Sequence, residues 1–194
     1  MEIASLRSHI ENIQRENKKQ EGQIEDVLQD KHANEVVISG PNIPVGSDNE
    51  KSEEVLDKFL RTHLHINLKK GSITRAYRLG AKKENMPDKR PLCFKVGDEQ
   101  TKSTLIKTII NSKKGVFINE YLTSYKRKLL TKALQLKKDK RYVTRCFISN
   151  GILHVKNSPD ARYTKIKTPE ELDLYLLGLG VSSATTLYDS LSDN

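Results

Sequence analysis

Five histidines (His9, His32, His63, His65 and His154) and two cysteines (Cys93 and Cys146) are the side chains best suited to nucleophilic, acid–base or metal chemistry. Their spacing assembles none of it. Only His63 and His65 lie close together, and neither a cysteine nor an acidic cluster stands beside them, so no zinc set forms. Each cysteine sits in an apolar, strand-like run, the setting of a buried thiol. The chain has no P-loop and no GxGxxG, GxSxG or HExxH pattern. Gly178-Leu179-Gly180 follows a helical segment, the wrong context for cradling a phosphate. The expectation is a protein with no catalytic residues, no metal and no cofactor.

Cations are what the chain has in excess. Lys and Arg total 34 against 25 Asp and Glu in 194 residues, a formal charge of +9. Such a balance favours a polyanionic partner, nucleic acid or an acidic membrane surface. Residues 1–33 carry 5 basic and 7 acidic residues, 34–118 carry 16 and 10, and 119–194 carry 13 and 8. The positive field therefore belongs to the middle and the C-terminal part. Within 121–167 the acids are only Asp139 and Asp160. The candidate nucleic-acid contacts are Arg75, Arg78, Lys82, Lys83, Lys89, Arg90, Lys113, Lys114, Arg127, Lys128, Arg141 and Arg145. Their chemistry is phosphate neutralisation with counterion release, which is indifferent to base sequence. Tyr125 and Tyr142 are the aromatic candidates for stacking on a base.

The elements that carry these residues fall into three blocks. Ile3, Leu6, Ile10, Ile13, Asn17, Gln20, Ile24 and Val27 step by three and four without a break. That is the 3.5-residue period of a coiled coil, with Asn17 and Gln20 as a polar layer that fixes register. Leu28 widens the seam, which suits three strands at least as well as two. Residues 34–118 then read as strand, helix, strand, strand, helix, strand: Glu35 to Gly40, Glu53 to Leu68, Ser72 to Leu79, Pro91 to Val96, Glu99 to Lys113, and Val116 to Ile118. This order is that of a ferredoxin-type, RRM-like (RNA-recognition-motif) domain. Its usual stacking platform is missing, because the first strand has no aromatic and Phe94 alternates with Leu92 and Val96 toward the core.

Residues 119–180 read as a small basic α+β domain. A helix capped by Thr123 runs to about Lys138, with Leu129, Leu130, Ala133, Leu134 and Leu136 as its apolar face. Tyr142 to Ile148 and Ile152 to Val155 form a hairpin about Asn150-Gly151, a strong turn signal. Thr164 to Lys167 adds a strand. Thr168-Pro169 starts a last helix, with Leu172, Leu174, Leu176 and Leu177 as its core. Residues 181–194 read as a disordered tail. The fold class is thus α+β, a coiled-coil helix followed by two small domains. With 36% apolar and 30% charged residues, an elongated molecule with small cores is expected.

No apolar run approaches the roughly 18 residues of a membrane span. The opening MEIASLRSHIE lacks the apolar stretch of a secretory signal. Together with the cysteine count, these features point to an intracellular protein. Two functions compete. One is a homo-oligomeric, sequence-tolerant binder of single-stranded RNA or DNA. The other is a coiled-coil structural or adaptor protein with no direct nucleic-acid role.

Residues 1 to about 177 also resemble a known family. The blocks NEVVISGPNIP, ITRAYRLG, DKRPLCFKV, VFINEYLTSYKRKLL and SNGILHV are similar to the first-open-reading-frame protein of LINE-type (non-LTR) retrotransposons and the related FP (few polyhedra) protein of baculoviruses. The resemblance implies a homotrimer joined through the coil. It also implies sequence-tolerant binding of single-stranded nucleic acid, nucleic-acid chaperone activity, and a place in a cytoplasmic or nuclear ribonucleoprotein.

Overall fold

The computed structural model describes residues 2–69, 71–112, 114–138 and 142–181. Lys113, Arg141 and residues 182–194 of the expected tail lie outside the described residues. The chain is mixed α and β with antiparallel sheets. It divides into two compact units, His32–Tyr121, and residues 1–31 together with 122–194.

In the first unit, β1 (Glu35–Ser39), β2 (Ile73–Arg78), β3 (Leu92–Val96) and β4 (Phe117–Glu120) form one sheet in the order β2-β3-β1-β4. All three pairings are antiparallel. Alternation places Val36, Ile38, Ala76, Leu92, Phe94, Val96 and Ile118 in one core. Helices α2 (Ser52–Thr62) and α3 (Glu99–Ser112) add Leu56, Phe59, Leu60, Leu105 and Ile109 to it. Phe94 is fully buried, as its alternation predicts.

Helix α2 stops six residues earlier than its apolar pattern predicts. His65 takes a left-handed φ of 59° and the amide of Ile66 donates back to the carbonyl of Leu60 at 2.8 Å. Leu64 still reaches the core from this reversed segment. Strand β4 runs on through Glu120, and the amide of Tyr121 donates to the carbonyl of Glu35 at 2.9 Å. Ile110, next to the buried Ile109 on α3, is exposed.

At the end of β1, Gly40 has φ +121°, and a Cβ there would lie 2.6 Å from the carbonyl oxygen of Gly115. Backbone, not a yielding side chain, blocks it. Gly40→Ala is expected to cost on the order of 1–3 kcal/mol, read as a lower urea midpoint at constant m-value. An unchanged midpoint would refute the steric argument.

The second unit opens with α1 (Glu2–Lys31). Ile3, Leu6, Ile10, Ile13, Ile24 and Val27 are each 53–72% exposed along it, and Asn17 and Gln20 are exposed between them. The helix does touch its own unit, but through other side chains. Gln29 is buried, lies under Gly151, and accepts from the amide of Thr123 at 3.2 Å. Asp26 accepts from the buried Lys126 ammonium at 3.0 Å. The 3,4-spaced stripe is left uncovered.

The remainder packs α4 (Ser124–Lys138) and α5 (Pro169–Gly178) against a sheet of β5 (Arg145–Ser149), β6 (Ile152–Lys156) and β7 (Thr164–Ile166). The sheet order is β5-β6-β7, antiparallel throughout. Leu129, Ala133, Leu136, Val143, Leu153, Val155, Ile166, Leu172 and Leu176 form the core. Three leucines expected there are not buried: Leu134, Leu174 and Leu177 are exposed. Leu172 and Leu176 are one helical turn apart, so one face of α5 suffices and Leu174 must turn away from it. Thr168 caps α5 by accepting from the amide of Glu171, whose carboxylate accepts in turn from the amide of Lys167 at 2.6 Å. Thr123 caps α4 through the amide of Lys126 at 3.3 Å.

Candidate nucleic-acid interface

The cations around β2 are not equivalent. The Arg78 guanidinium donates to both carboxylate oxygens of Glu50 at 2.8 and 3.0 Å and to the carbonyl of Arg90 at 3.0 Å. Both side chains are almost wholly buried. Arg90 forks onto Asp88 with two bonds of 2.8 Å and donates to the carbonyl of Gly80. The Arg90 fork holds the Asp88 carboxyl far below the usual carboxylate range. These two arginines were expected to meet phosphate. In the structure their guanidinium groups are already matched by carboxylates and brace the loop between β2 and β3.

Among the other candidate cations described in this unit, Arg75, Lys82, Lys83 and Lys89 are exposed and Lys114 is half-buried. Arg75 is exposed, with its guanidinium 4.5 Å above the Tyr77 ring. Lys83 is exposed. Lys82 pairs with Asp48. Lys89 donates to the carbonyl of Pro41 at 3.2 Å, and Lys114 to the carbonyl of His63 at 2.6 Å. The last three contacts use groups in or next to exposed segments, where water competes with such bonds.

The sheet face opposite α2 and α3 carries a polar cluster. Glu35 is buried there, 2.8 Å from His32 Nδ1, and accepts from the Tyr77 hydroxyl at 3.2 Å. The Cys93 thiol lies 3.6 Å from the same carboxylate. His32 stacks on Tyr121 with ring centres 4.1 Å apart. Burial pushes the Cys93 thiol up to about 12, and pushes the Tyr77 hydroxyl well above its ordinary value. Burial also raises the Cys146 thiol. Neither cysteine is a thiolate near neutral pH, so neither is an activated nucleophile. Among the described residues no group of His, Cys, Asp and Glu could hold a metal ion. Nor, among the described residues, is any helix long and apolar enough to cross a membrane.

In the second unit, Arg127, Lys128 and Arg145 are exposed. Arg127 donates to the carbonyl of Leu122 at 3.3 Å. The two tyrosine candidates are half-buried, and Tyr142 packs against the core. Lys113 and Arg141 lie outside the described residues.

The aromatic surface of this unit lies elsewhere. Phe147, His154 and Tyr163 gather on the sheet face turned away from α4 and α5. The Phe147 and His154 rings stack with centres 4.9 Å apart and planes 1° apart, and Tyr163 meets Phe147 edge-on at 5.0 Å. None of the three is among the base-stacking candidates that the sequence suggests. The signal was present: alternation sets Phe147 with Arg145, opposite Cys146 and Ile148, and the Asn150-Gly151 turn brings His154 across from Phe147.

Compared with known proteins, the sequence matches no family model and no curated protein.

Proposed function

We propose that the chain is a homo-oligomeric, sequence-tolerant single-stranded nucleic-acid binding protein, with RNA as its main ligand and chaperone activity as its consequence. One observation carries this reading. Most cations that folding withdraws from water are matched inside the protein: Arg78 by Glu50, Lys102 by Glu120, Lys126 by Asp26 and the half-buried Lys132 by Asp173, while the buried Lys156 donates to the carbonyl of Pro159. Arg75, Lys83, Lys128, Arg145 and Lys165 are exposed and in no ion pair among the described residues. A surface left unneutralised on both units attracts a polyanion. The strand order β2-β3-β1-β4, with α2 and α3 packed on one face, supports an RRM-like, ferredoxin-type reading of the first unit. The uncovered stripe on α1 supports a coiled-coil homotrimer, with a dimer as second choice. Both agree with the resemblance to retrotransposon first-open-reading-frame proteins. A cytoplasmic or nuclear ribonucleoprotein is the corresponding setting.

Filter binding to a labelled single-stranded oligonucleotide across a salt series tests the function. Log affinity should fall linearly with log salt, and Arg75→Ala should weaken binding to all sequences alike. That substitution should also reduce the slope by about 0.7. Binding that is absent at low salt, or insensitive to salt, would leave the adaptor reading in its place.

A further inference from the structure

We infer that the outer face of the β5-β6-β7 sheet is a base-stacking site for single-stranded nucleic acid, with Phe147 and Tyr163 as the stacking rings and Arg145 and Lys165 as flanking phosphate contacts. The inference rests on the nucleic-acid reading above and assigns it a place.

The register of the sheet builds the site. Phe147 stands opposite His154, and His154 opposite Lys165, so one row across the sheet reads Phe, His, Lys. Arg145 stands opposite Lys156 in the next row. Tyr163 precedes β7 and closes on Phe147 and His154, its ring 5.0 and 6.5 Å from theirs. The Lys156 ammonium sits 5.1 Å over the Tyr163 ring and donates to the carbonyl of Pro159. Phe147 is 43% and Tyr163 40% exposed despite this packing. Burial, with the nearby Lys165 charge, lowers the His154 pKa. His154 is therefore an uncharged plane at neutral pH that backs Phe147 without adding like charge.

The occupant follows from charge. Strands β5, β6 and β7 contain no Asp or Glu. Arg145 and Lys156 are cross-strand partners of like charge, an arrangement that costs stability in an isolated sheet; Lys156 is buried beneath Tyr163 and Arg145 is exposed. A bound polyanion removes that repulsion. Flat rings beside bare cations match a ligand that is both planar and anionic at short repeat, which describes unpaired nucleotides. An aromatic cage for a quaternary ammonium would need the opposite surroundings, because Arg145, Lys156 and Lys165 repel a cationic ligand.

The test uses the full chain and a single-stranded RNA bearing 5-bromouridine. Ultraviolet crosslinks, mapped by peptide mass, are expected at Phe147 or Tyr163. Phe147→Leu and Tyr163→Leu keep apolar bulk and remove the aromatic plane. Each is expected to weaken binding about 5- to 100-fold at fixed salt, as for loss of one stacked base, with the salt slope unchanged. Arg145→Ala should instead lower the slope by about 0.7. An oligonucleotide of the same length with abasic sugars should bind the unmutated chain as weakly as the variants bind RNA. If the unmutated chain binds RNA with its full salt slope, but crosslinks map elsewhere and both leucine variants bind normally, this face belongs to a protein contact and the inference is overturned. If the unmutated chain does not bind RNA at all, the functional reading itself fails. Because crosslinking uses unmutated protein, a misfolded variant does not shield the inference.

Discussion

Light scattering of the Ile10→Asp/Ile13→Asp protein is expected to give the mass of a single 22.1 kDa chain, where the unmutated protein gives three times that mass. Both isoleucines are more than half exposed on an isolated chain, so the substitutions disturb no intrachain packing. Within one helix the change costs only a few tenths of a kcal/mol per residue in propensity. In an oligomer it places carboxylates in successive layers of a dry seam, where an unpaired charge is strongly unfavourable. Circular dichroism and the second unit's cooperative unfolding should therefore persist while assembly is lost. Affinity for long single strands should drop by about 10²- to 10⁴-fold, the range by which linked sites exceed single ones. Affinity for an oligonucleotide that fills one protomer should hardly change. A monomeric unmutated chain at micromolar concentration would end the oligomer proposal.

What could be read before folding is what repeats locally. The stripe on α1 shows in sequence because a 3,4 period is a one-dimensional signal, and the exposed Ile3, Ile10 and Val27 match it. Strand β3 shows by its alternation, the β5–β6 hairpin by its Asn-Gly turn, and the cap at Thr168 by its Thr-Pro-Glu-Glu pattern. Local reading stops where a residue's partner is distant. Glu50 and Arg78 are 28 residues apart, and nothing local marks them as a pair, so Arg78 looked like a free cation on a basic strand. Leu134 and Leu174 failed for a different reason. A composition rich in leucine overfills the helical pattern, and the sheet surface decides which leucines it covers. The Phe147–His154 stack was readable in principle, since a two-residue turn fixes the register of its hairpin. Charge drew attention to Arg145, and its neighbour on the same face was passed over.

Arg78→Ala is expected to act on stability rather than on binding. The Arg78–Glu50 pair is bidentate, with side chains 4% and 8% exposed. Truncating one partner leaves a buried carboxylate without its cation, which typically costs about 3–5 kcal/mol. Glu50 keeps only the hydroxyl of Ser52 at 2.9 Å and the amide of Ser47 at 3.3 Å. Arg78→Met combined with Glu50→Leu removes both charges and should recover most of the loss, because apolar replacement of a whole buried pair is close to neutral. The pair should also leave a signature in acid. The hydrogen bonds from Arg78 are the main cause of a Glu50 pKa below its ordinary value. A depressed carboxyl stabilises the fold above its unfolded-state pKa, and that contribution disappears as pH falls through the folded-state value. The unmutated protein should therefore lose stability on acidification below about pH 4.5, the region of the unperturbed carboxyl, and Arg78→Ala should lose less over the same interval. Urea midpoints at constant m-value measure both effects. An Arg78→Ala protein with the unmutated midpoint and a salt slope lower by about 0.7 would return Arg78 to the phosphate-binding set. An unaltered slope with a collapsed midpoint assigns it to the framework that holds the β2–β3 loop in place.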